Sequence, residues 1–274
     1  MDFELIDRAT PIALRSVPCA ALLGAALTAQ LSGEVVDWLW AQVQAVAAGA
    51  PDRQLFASFS VMPRRVGKAD LVLNADQITA AQTLCPGWQP QTWSVDQAAR
   101  SLLLLALPQA DAAQVQRRFE QFFTTAGLQE LIALLQTLPL LPHPDRYRYW
   151  ADEGIRSHMK GVFEAIVLHN PYPSLHFDEA AWNQMVLKAV FIESSLAPIY
   201  GFDDRANPTL ARMAIDYIRE RWAAGRRVTP EIWRAIGPFV TPAMLPELER
   251  GLAMDDPVQR AAILNCYPPL RSVG

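Results

Sequence analysis

Residues 207–230 read NPTLARMAIDYIRERWAAGRRVTP, and this stretch contains both the start and the stop signal of a helix. Asn207 places a side-chain acceptor directly before a proline, whose missing N–H and fixed φ suit the first helical position. Gly225 lies where the apolar spacing ends, and glycine accepts the left-handed conformation that often closes a helix. Thr229 precedes another proline, so the stretch predicts one helix and the beginning of the next.

The same signals recur through the last third of the sequence. Four dipeptides place a capping residue before a proline: Asn207-Pro208, Thr229-Pro230, Thr241-Pro242 and Asp256-Pro257. Four glycines occupy the expected helix ends: Gly201, Gly225, Gly237 and Gly251. Helices this short need neighbours to pack on, because intrinsic propensity alone does not hold them. We therefore predict an all-α fold of stacked antiparallel helix pairs, either an irregular HEAT-like α-solenoid or a multi-helix bundle.

Helices are also predicted in the middle of the chain. Ser94 and Gln97 have the spacing of a capping box, which opens a helix. A longer helix is predicted from about residue 144 to about residue 169, with Gly154 as its candidate break.

Asp178 is predicted to cap a helix that reaches about residue 196. Its apolar residues recur at three- and four-residue steps and form one stripe: Trp182, Met185, Val186 and Ala189. Asn183 and Lys188 fall outside this stripe, so both are predicted to turn away from the core.

Strand signals are scarce. The only candidate strands are short, at residues 56–61 and 71–73. The surrounding stretch 55–93 is the least regular part of the sequence because proline and glycine interrupt it repeatedly. We predict a single all-helical domain over residues 1–274, with a candidate lobe boundary in 55–93.

The composition favours a globular protein with a sizeable core. Hydrophobic residues make up 51% and charged residues 19% of the chain, unlike a disordered sequence. With 24 Lys and Arg against 28 Asp and Glu, the net charge is −4 at pH 7, whereas nucleic-acid-binding proteins usually carry net positive charge. The apolar run 17–31 is too short to span a bilayer comfortably. We expect a cytoplasmic protein with no nucleic-acid partner and no direct membrane insertion.

No residue pattern predicts a metal or a cofactor. The four histidines lie close together in sequence, at 143, 158, 169 and 176, but without HExxH or HxH spacing. The three cysteines contain no CxxC pair. Glycine-rich phosphate-binding motifs and the GxSxG motif are absent. We expect neither a bound metal nor a cofactor, and the sequence identifies no catalytic residue.

Several segments in the second half of the chain resemble one known family. They are LPLLPHP (138–144), EGIRS (153–157), HNPYP (169–173), FDEAAWNQMVLKA (177–189), RANP (205–208) and ERWAAGR (220–226). In this order they resemble the EboA-domain family, over roughly residues 120–240. The resemblance implies a helical protein encoded beside enzymes that make or move a secondary metabolite. It implies no catalytic residue.

The matching region carries polar and aromatic residues on successive helices and turns. The candidate ligand-binding residues are His169, Asn170, Trp182, Asn183, Lys188, Asp203, Arg205 and Arg221. Buried polar groups need hydrogen-bond partners. These side chains could therefore form either an internal bracing network or a ligand pocket.

Three functions follow from the resemblance. The leading one is a non-catalytic accessory protein of a secondary-metabolite pathway, which binds a metabolite or a partner enzyme on a helical surface. The second is a pathway enzyme acting on a cyclitol-like or isoprenoid-like intermediate, with Lys188 or His169 transferring a proton. Such a lysine would need a lowered pKa. The third is a pure protein–protein scaffold.

Overall fold

The computed structural model describes residues 16–109 and 111–272, and these residues confirm the all-α prediction. They form fifteen α-helices joined by short turns and 3-10 segments, and the described ranges contain no β-strand. The chain divides into two compact units, with the boundary between His176 and Phe177. We call the first part unit 1 and the second part unit 2.

Unit 1 is built around one almost completely buried helix. Its helices are α1 (Ser16–Gln30), α2 (Gly33–Ala47), α3 (Asp52–Val66), α4 (Ala75–Leu84), α5 (Val95–Leu105), α6 (Ala112–Thr125), α7 (Leu128–Thr137), α8 (Arg148–Arg156), α9 (Lys160–Val167) and α10 (Tyr172–His176). Helix α5 packs against α1, α2, α3 and α7, and α7 in turn packs against α9. Because α5 touches neighbours on all sides, its residues Leu102, Leu103 and Leu104 are almost fully buried.

Unit 2 has its core around Trp233. Its helices are α11 (Glu179–Phe191), α12 (Pro208–Ala223), α13 (Trp233–Ile236), α14 (Leu245–Ala253) and α15 (Pro257–Cys266). Helix α13 packs against both α12 and α15. The buried Trp233 indole donates to the Gln259 Oε1 at 2.6 Å, and the Gln259 amide donates to the Val228 carbonyl at 2.6 Å. The buried side chains of Trp233 and Gln259 are therefore paired.

Both strand predictions are wrong. Residues 56–61 lie inside α3, where the buried side chains recur with helical spacing: Leu55, Phe59, Met62 and Val66. That spacing outweighs the β propensity of a short apolar run. Residues 71–73 lie beside a single antiparallel bridge between Asp70 and Ser94, which is too little pairing to make a strand.

The helix starts are confirmed where the capping side chain is a carboxylate or an amide. The side chains of Asp178, Asn207 and Asp256 accept backbone N–H groups of the first turns of α11, α12 and α15. Thr229 and Thr241 make no such side-chain bond, and 3-10 segments follow them. The predicted helix near residues 144–169 is broken at residues 157–159, just beyond Gly154, which gives α8 and α9.

The glycine prediction is confirmed in full at one of the four positions. Gly225 has a positive φ and follows the end of α12. Gly201 also has a positive φ, but it lies in a turn well beyond the end of α11 at Phe191. Gly237 directly follows α13 but has a φ of −48°, and Gly251 lies within α14. At both positions a Cβ atom would collide with a neighbour, so close packing explains the glycine.

The irregular stretch 55–93 lies within unit 1. It contains most of α3 and all of α4, and its residues Trp88 and Trp93 are buried with their rings 5.9 Å apart. The boundary between the compact units falls much later, after His176. That residues 1–274 form one domain stays a prediction.

Candidate functional site

The eight predicted site residues are divided between the units. His169 and Asn170 belong to unit 1, and the other six belong to unit 2. Each group is therefore described within its own unit.

Asn170 is a bracing residue of the unit 1 core. Its buried amide donates to the carbonyl oxygens of Leu135 at 3.1 Å and Ala165 at 3.0 Å. Its Oδ1 accepts the backbone N–H of Tyr172 at 3.0 Å. One side chain thus links α7, α9 and α10, and these three bonds occupy most of its hydrogen-bonding capacity.

Replacing Asn170 with alanine should lower the free energy of unfolding by about 1–3 kcal/mol, because buried backbone groups lose their partners. Urea denaturation measures this loss. The matched control is Gln129→Ala on the exposed side of α7, where a change within about 0.5 kcal/mol is expected. An equal stability of Asn170→Ala and the wild type would rule out the bracing role.

His169 has a left-handed backbone, with a φ of 55°. Its Nδ1 is buried and has no hydrogen-bond partner among the described residues. Burial lowers the pKa of this imidazole, which favours the neutral form. His169 thus keeps an unused polar atom, but it does not line the cleft described below.

In unit 2, four side chains join α11 to the start of α12. The Arg205 guanidinium lies over the Trp182 ring, 4.8 Å from its centroid, and donates to the Phe177 carbonyl at 2.8 Å. Asn183 and Asn207 exchange amide hydrogen bonds of 3.2 and 2.8 Å. The prediction that Asn183 turns away from the core is wrong, because this reciprocal pairing lets the amide be buried.

The remaining three predicted residues do not form one cluster with each other. Asp203 is exposed and accepts two hydrogen bonds of 2.9 Å from Arg234. Arg221 donates to the Arg227 carbonyl and closes the turn after α12. Lys188 lies half-buried in the last turn of α11, and burial lowers its pKa. For most of the unit 2 set, the contacts are those of bracing.

A cleft of about 290 Å³ in unit 1 was missed by the sequence predictions. We call it the aromatic cleft. Helices α6, α7, α8 and α9 contribute its lining, which consists of Phe123, Leu131, Leu135, Trp150, Glu153, Gly154, Arg156, Ser157 and Val162.

Aromatic stacking fixes one wall of the aromatic cleft. The rings of Phe123 and Trp150 are nearly parallel, with centroids 4.6 Å apart and an interplanar angle of 7°. Tyr149 meets the Trp150 ring edge-on at 4.9 Å. Two ring contacts therefore hold the half-buried Trp150 in place, so the wall is formed before any ligand arrives.

The floor of the cleft lies where Gly154 of α8 packs against Leu135 of α7. A Cβ atom at Gly154 would lie 3.1 Å from both terminal methyl groups of Leu135, closer than ordinary packing allows. The missing side chain lets α8 approach α7 closely. The Leu135 side chain of α7 therefore packs directly against the backbone of α8 at Gly154.

The rim of the cleft is charged. Arg156 donates to Glu153 at 2.6 Å across one turn of α8, and both side chains are largely exposed. Ser157 ends the helix and accepts the Met159 N–H at 3.1 Å. An apolar floor with a charged rim suits a small molecule that has an apolar body and a polar group.

Two other clefts differ in their lining. One of about 330 Å³ lies between α1 and α4. It is lined by alanine, proline and leucine side chains, including Leu22 and Leu84, together with the polar residues Asn74, Asp76 and Gln77, and it has no aromatic ring in its lining. Another of about 260 Å³ lies beside α12, where Asp216 and Glu247 already pair with Arg219. The aromatic cleft combines rigid rings with a rim charge, so it is the strongest candidate site.

One signal in the sequence could have located the aromatic cleft. The segment EGIRS (153–157) was noted for its family resemblance, and all of its residues except Ile155 line the cleft. The predicted polar site residues rest on their chemical type, and chemical type alone does not show whether a polar atom already has a hydrogen-bond partner.

The described residues contain no candidate metal site and no candidate membrane span. In residues 16–109 and 111–272, no group of three His, Cys, Asp or Glu side chains is arranged to hold a metal ion. Within the same ranges, no helix combines the length and the apolar character needed to cross a bilayer.

The chain is similar to a known protein family. A family model described as metabolite traffic protein EboA matches residues 19–237. The match reaches into both units and begins well before the segments that carry the resemblance. No curated protein and no solved structure matches the chain.

Proposed function

Since the chain belongs to the EboA family, we propose that it is an accessory protein of metabolite traffic that binds a small molecule in the aromatic cleft. The family's description supports the metabolite role. The observation that supports the aromatic cleft as the binding site is the segment EGIRS. This segment resembles the family, and four of its five residues line the cleft.

The dimensions of the cleft fit this role. Ligand sites of proteins usually range from about 300 to 1,000 Å³, so a cleft of about 290 Å³ suits a small metabolite or one part of a larger molecule. Preformed walls reduce the ordering that binding requires. A carrier or accessory protein needs this kind of reversible, shape-based binding.

The other roles stay predictions. The alternatives are a pathway enzyme that uses Lys188 or His169 and a pure scaffold. Partner enzymes and a cytoplasmic location also stay predictions. The lowered pKa values of Lys188 and His169 have the direction that a proton acceptor needs. Neither Lys188 nor His169 lines the aromatic cleft. The cleft therefore supports ligand binding and gives no support to catalysis by these two residues.

Replacing Trp150 with alanine should abolish or strongly weaken retention of a small molecule. The variant loses the stacked wall, and an aromatic contact of about 1–2 kcal/mol corresponds to roughly a tenfold loss of affinity. The measurement is native mass spectrometry of the chain after incubation with a small-molecule extract of its source cells. The wild type should retain an adduct whose mass identifies the class of metabolite.

The matched control is Trp38→Ala. Trp38 is a half-buried tryptophan of the same unit with Arg65 over its ring, and it does not line the aromatic cleft. This variant should retain the adduct, and circular dichroism should show wild-type helix content for both variants. An adduct that Trp150→Ala retains as well as the wild type does would exclude the cleft as the binding site.

A further inference from the structure

We infer that the small molecule of the aromatic cleft is an amphipathic organic anion whose charged group replaces Glu153 as the partner of Arg156. This inference rests on the proposed function and specifies its ligand class. The apolar body would lie against Trp150 and the leucine side chains of α7, and the anionic group would lie at the rim. The chemistry required is a carboxylate, sulfonate or phosphate on an apolar body.

Arg156 has donor capacity to spare. Its side chain is 66% exposed, and Nη1 donates to Glu153. A guanidinium carries five N–H donors in a planar fork that matches the geometry of an oxyanion. In the described residues, this single bond to Glu153 uses one of the five. An incoming oxyanion can therefore bind through two parallel hydrogen bonds.

A ligand anion can replace Glu153 as the partner of Arg156 at little cost in stability. Both side chains are on one exposed face of α8, three residues apart, and exposed ion pairs of this kind contribute little to stability. A ligand anion competes with Glu153 for the guanidinium of Arg156. Burial of the ligand's apolar body in the cleft adds favourable free energy that Glu153 does not supply.

The following helix also favours an anion over a cation. Helix α9 begins at Lys160, between the lining residues Ser157 and Val162. The N-terminal end of a helix carries partial positive charge. Lys160 is exposed and lies 3.7 Å from Glu164, at the outer limit for an ion pair. The positive end of α9 therefore lies beside the cleft, where it favours an anion.

The test uses two fluorescent probes with nearly the same apolar body. One is 8-anilino-1-naphthalenesulfonate, an anion, and the other is N-phenyl-1-naphthylamine, which lacks the sulfonate. Each is titrated into the full-length wild type and into three variants. Arg156→Gln removes the proposed anion partner, Glu153→Gln removes its competitor, and Arg65→Gln is the control for an exposed arginine of the same unit.

We expect opposite effects at the two rim positions. Arg156→Gln should weaken binding of the sulfonate about tenfold, since a charge-assisted hydrogen bond is lost, and should leave the neutral probe unchanged. Glu153→Gln should strengthen sulfonate binding a few fold, because the competing carboxylate is gone. Arg65→Gln should change neither probe.

The outcomes separate this inference from the proposed function. If Trp150→Ala weakens both probes but Arg156→Gln changes neither, the cleft binds ligands and the anion inference is overturned. Weaker sulfonate binding by Glu153→Gln overturns it as well, as does a wild type that binds no sulfonate. If Trp150→Ala leaves the binding of both probes at the wild-type level, the cleft is not their site and the proposed function fails with it.

Discussion

Replacing Asp96 with asparagine should lower the free energy of unfolding by about 3–5 kcal/mol, because it removes the carboxylate that pairs with a buried arginine. Arg100 donates to Asp96 at 2.6 Å, and the two side chains are only 2% and 4% exposed. The guanidinium also donates to the Phe59 carbonyl at 3.0 Å and lies over the Phe59 ring. Burial lowers the pKa of Arg100, and the nearby Asp96 carboxylate acts in the opposite direction.

Urea denaturation with hydrogen exchange of the α5 amides measures this effect in unit 1. The control is Asp216→Asn in unit 2, which removes a carboxylate that is 68% exposed and pairs with Arg219. We expect less than about 1 kcal/mol there, the usual range for an exposed pair. Equal losses of unfolding free energy in the two variants would contradict the claim that burial makes the Asp96–Arg100 pair important for stability.

Replacing Gly237 with alanine should destabilise unit 2 by about 3 kcal/mol, near the upper end of overpacking effects. An added Cβ atom would overlap the Cys266 carbonyl oxygen and lie 2.7 Å from its carbonyl carbon. The obstacle is backbone at the end of α15, so no side-chain rotation relieves it. The segment after α13 would have to move away from α15.

Hydrogen exchange of the α13 and α15 amides should report this loss, together with a lower urea midpoint. Gly33→Ala is the control, because no heavy atom lies within 4 Å of the added carbon at the start of α2. Its effect should stay within about 0.5 kcal/mol. A Gly237→Ala protein as stable as the wild type would show that the α13–α15 contact is looser than the structure indicates.

Helix caps and apolar stripes in the sequence predicted the helices well, because each of these signals depends on residues only a few positions apart. Asp178, Asn207 and Asp256 form caps with N–H groups of their own first turns. The stripe of α11 is buried as its spacing predicts. The strand prediction for 56–61 failed because a six-residue window is too short to show that Leu55 and Val66 extend the same helical stripe.

Glycine positions show where sequence reasoning reaches its limit. Gly225 ends a helix with a positive φ, and the residues around it are enough to predict that. Gly237 is required by the carbonyl of Cys266, which lies 29 positions later in the chain. Nothing near Gly237 in the sequence indicates that contact, because it exists only after α13 and α15 have packed.

The candidate site was harder to predict for the same reason. Asn170 and Asn183 are predicted ligand-binding residues because they are polar. Their amide groups instead form hydrogen bonds with partners on other helices or turns. Phe123 and Trp150 meet across α6 and α8, and their stacking could not be read from either segment alone. The resemblance segment EGIRS is the part of the sequence that lines the proposed cleft.

The most direct test of the account is a methyl NMR titration of the full-length chain with 8-anilino-1-naphthalenesulfonate, after ¹³C labelling of its leucine and valine methyl groups. We predict that the earliest shifts occur at Leu131, Leu135 and Val162, which line the aromatic cleft, and that Trp150→Ala abolishes them. First shifts at Leu22 and Leu84, in the cleft between α1 and α4, would contradict the account. The ligand site would then have to be sought there.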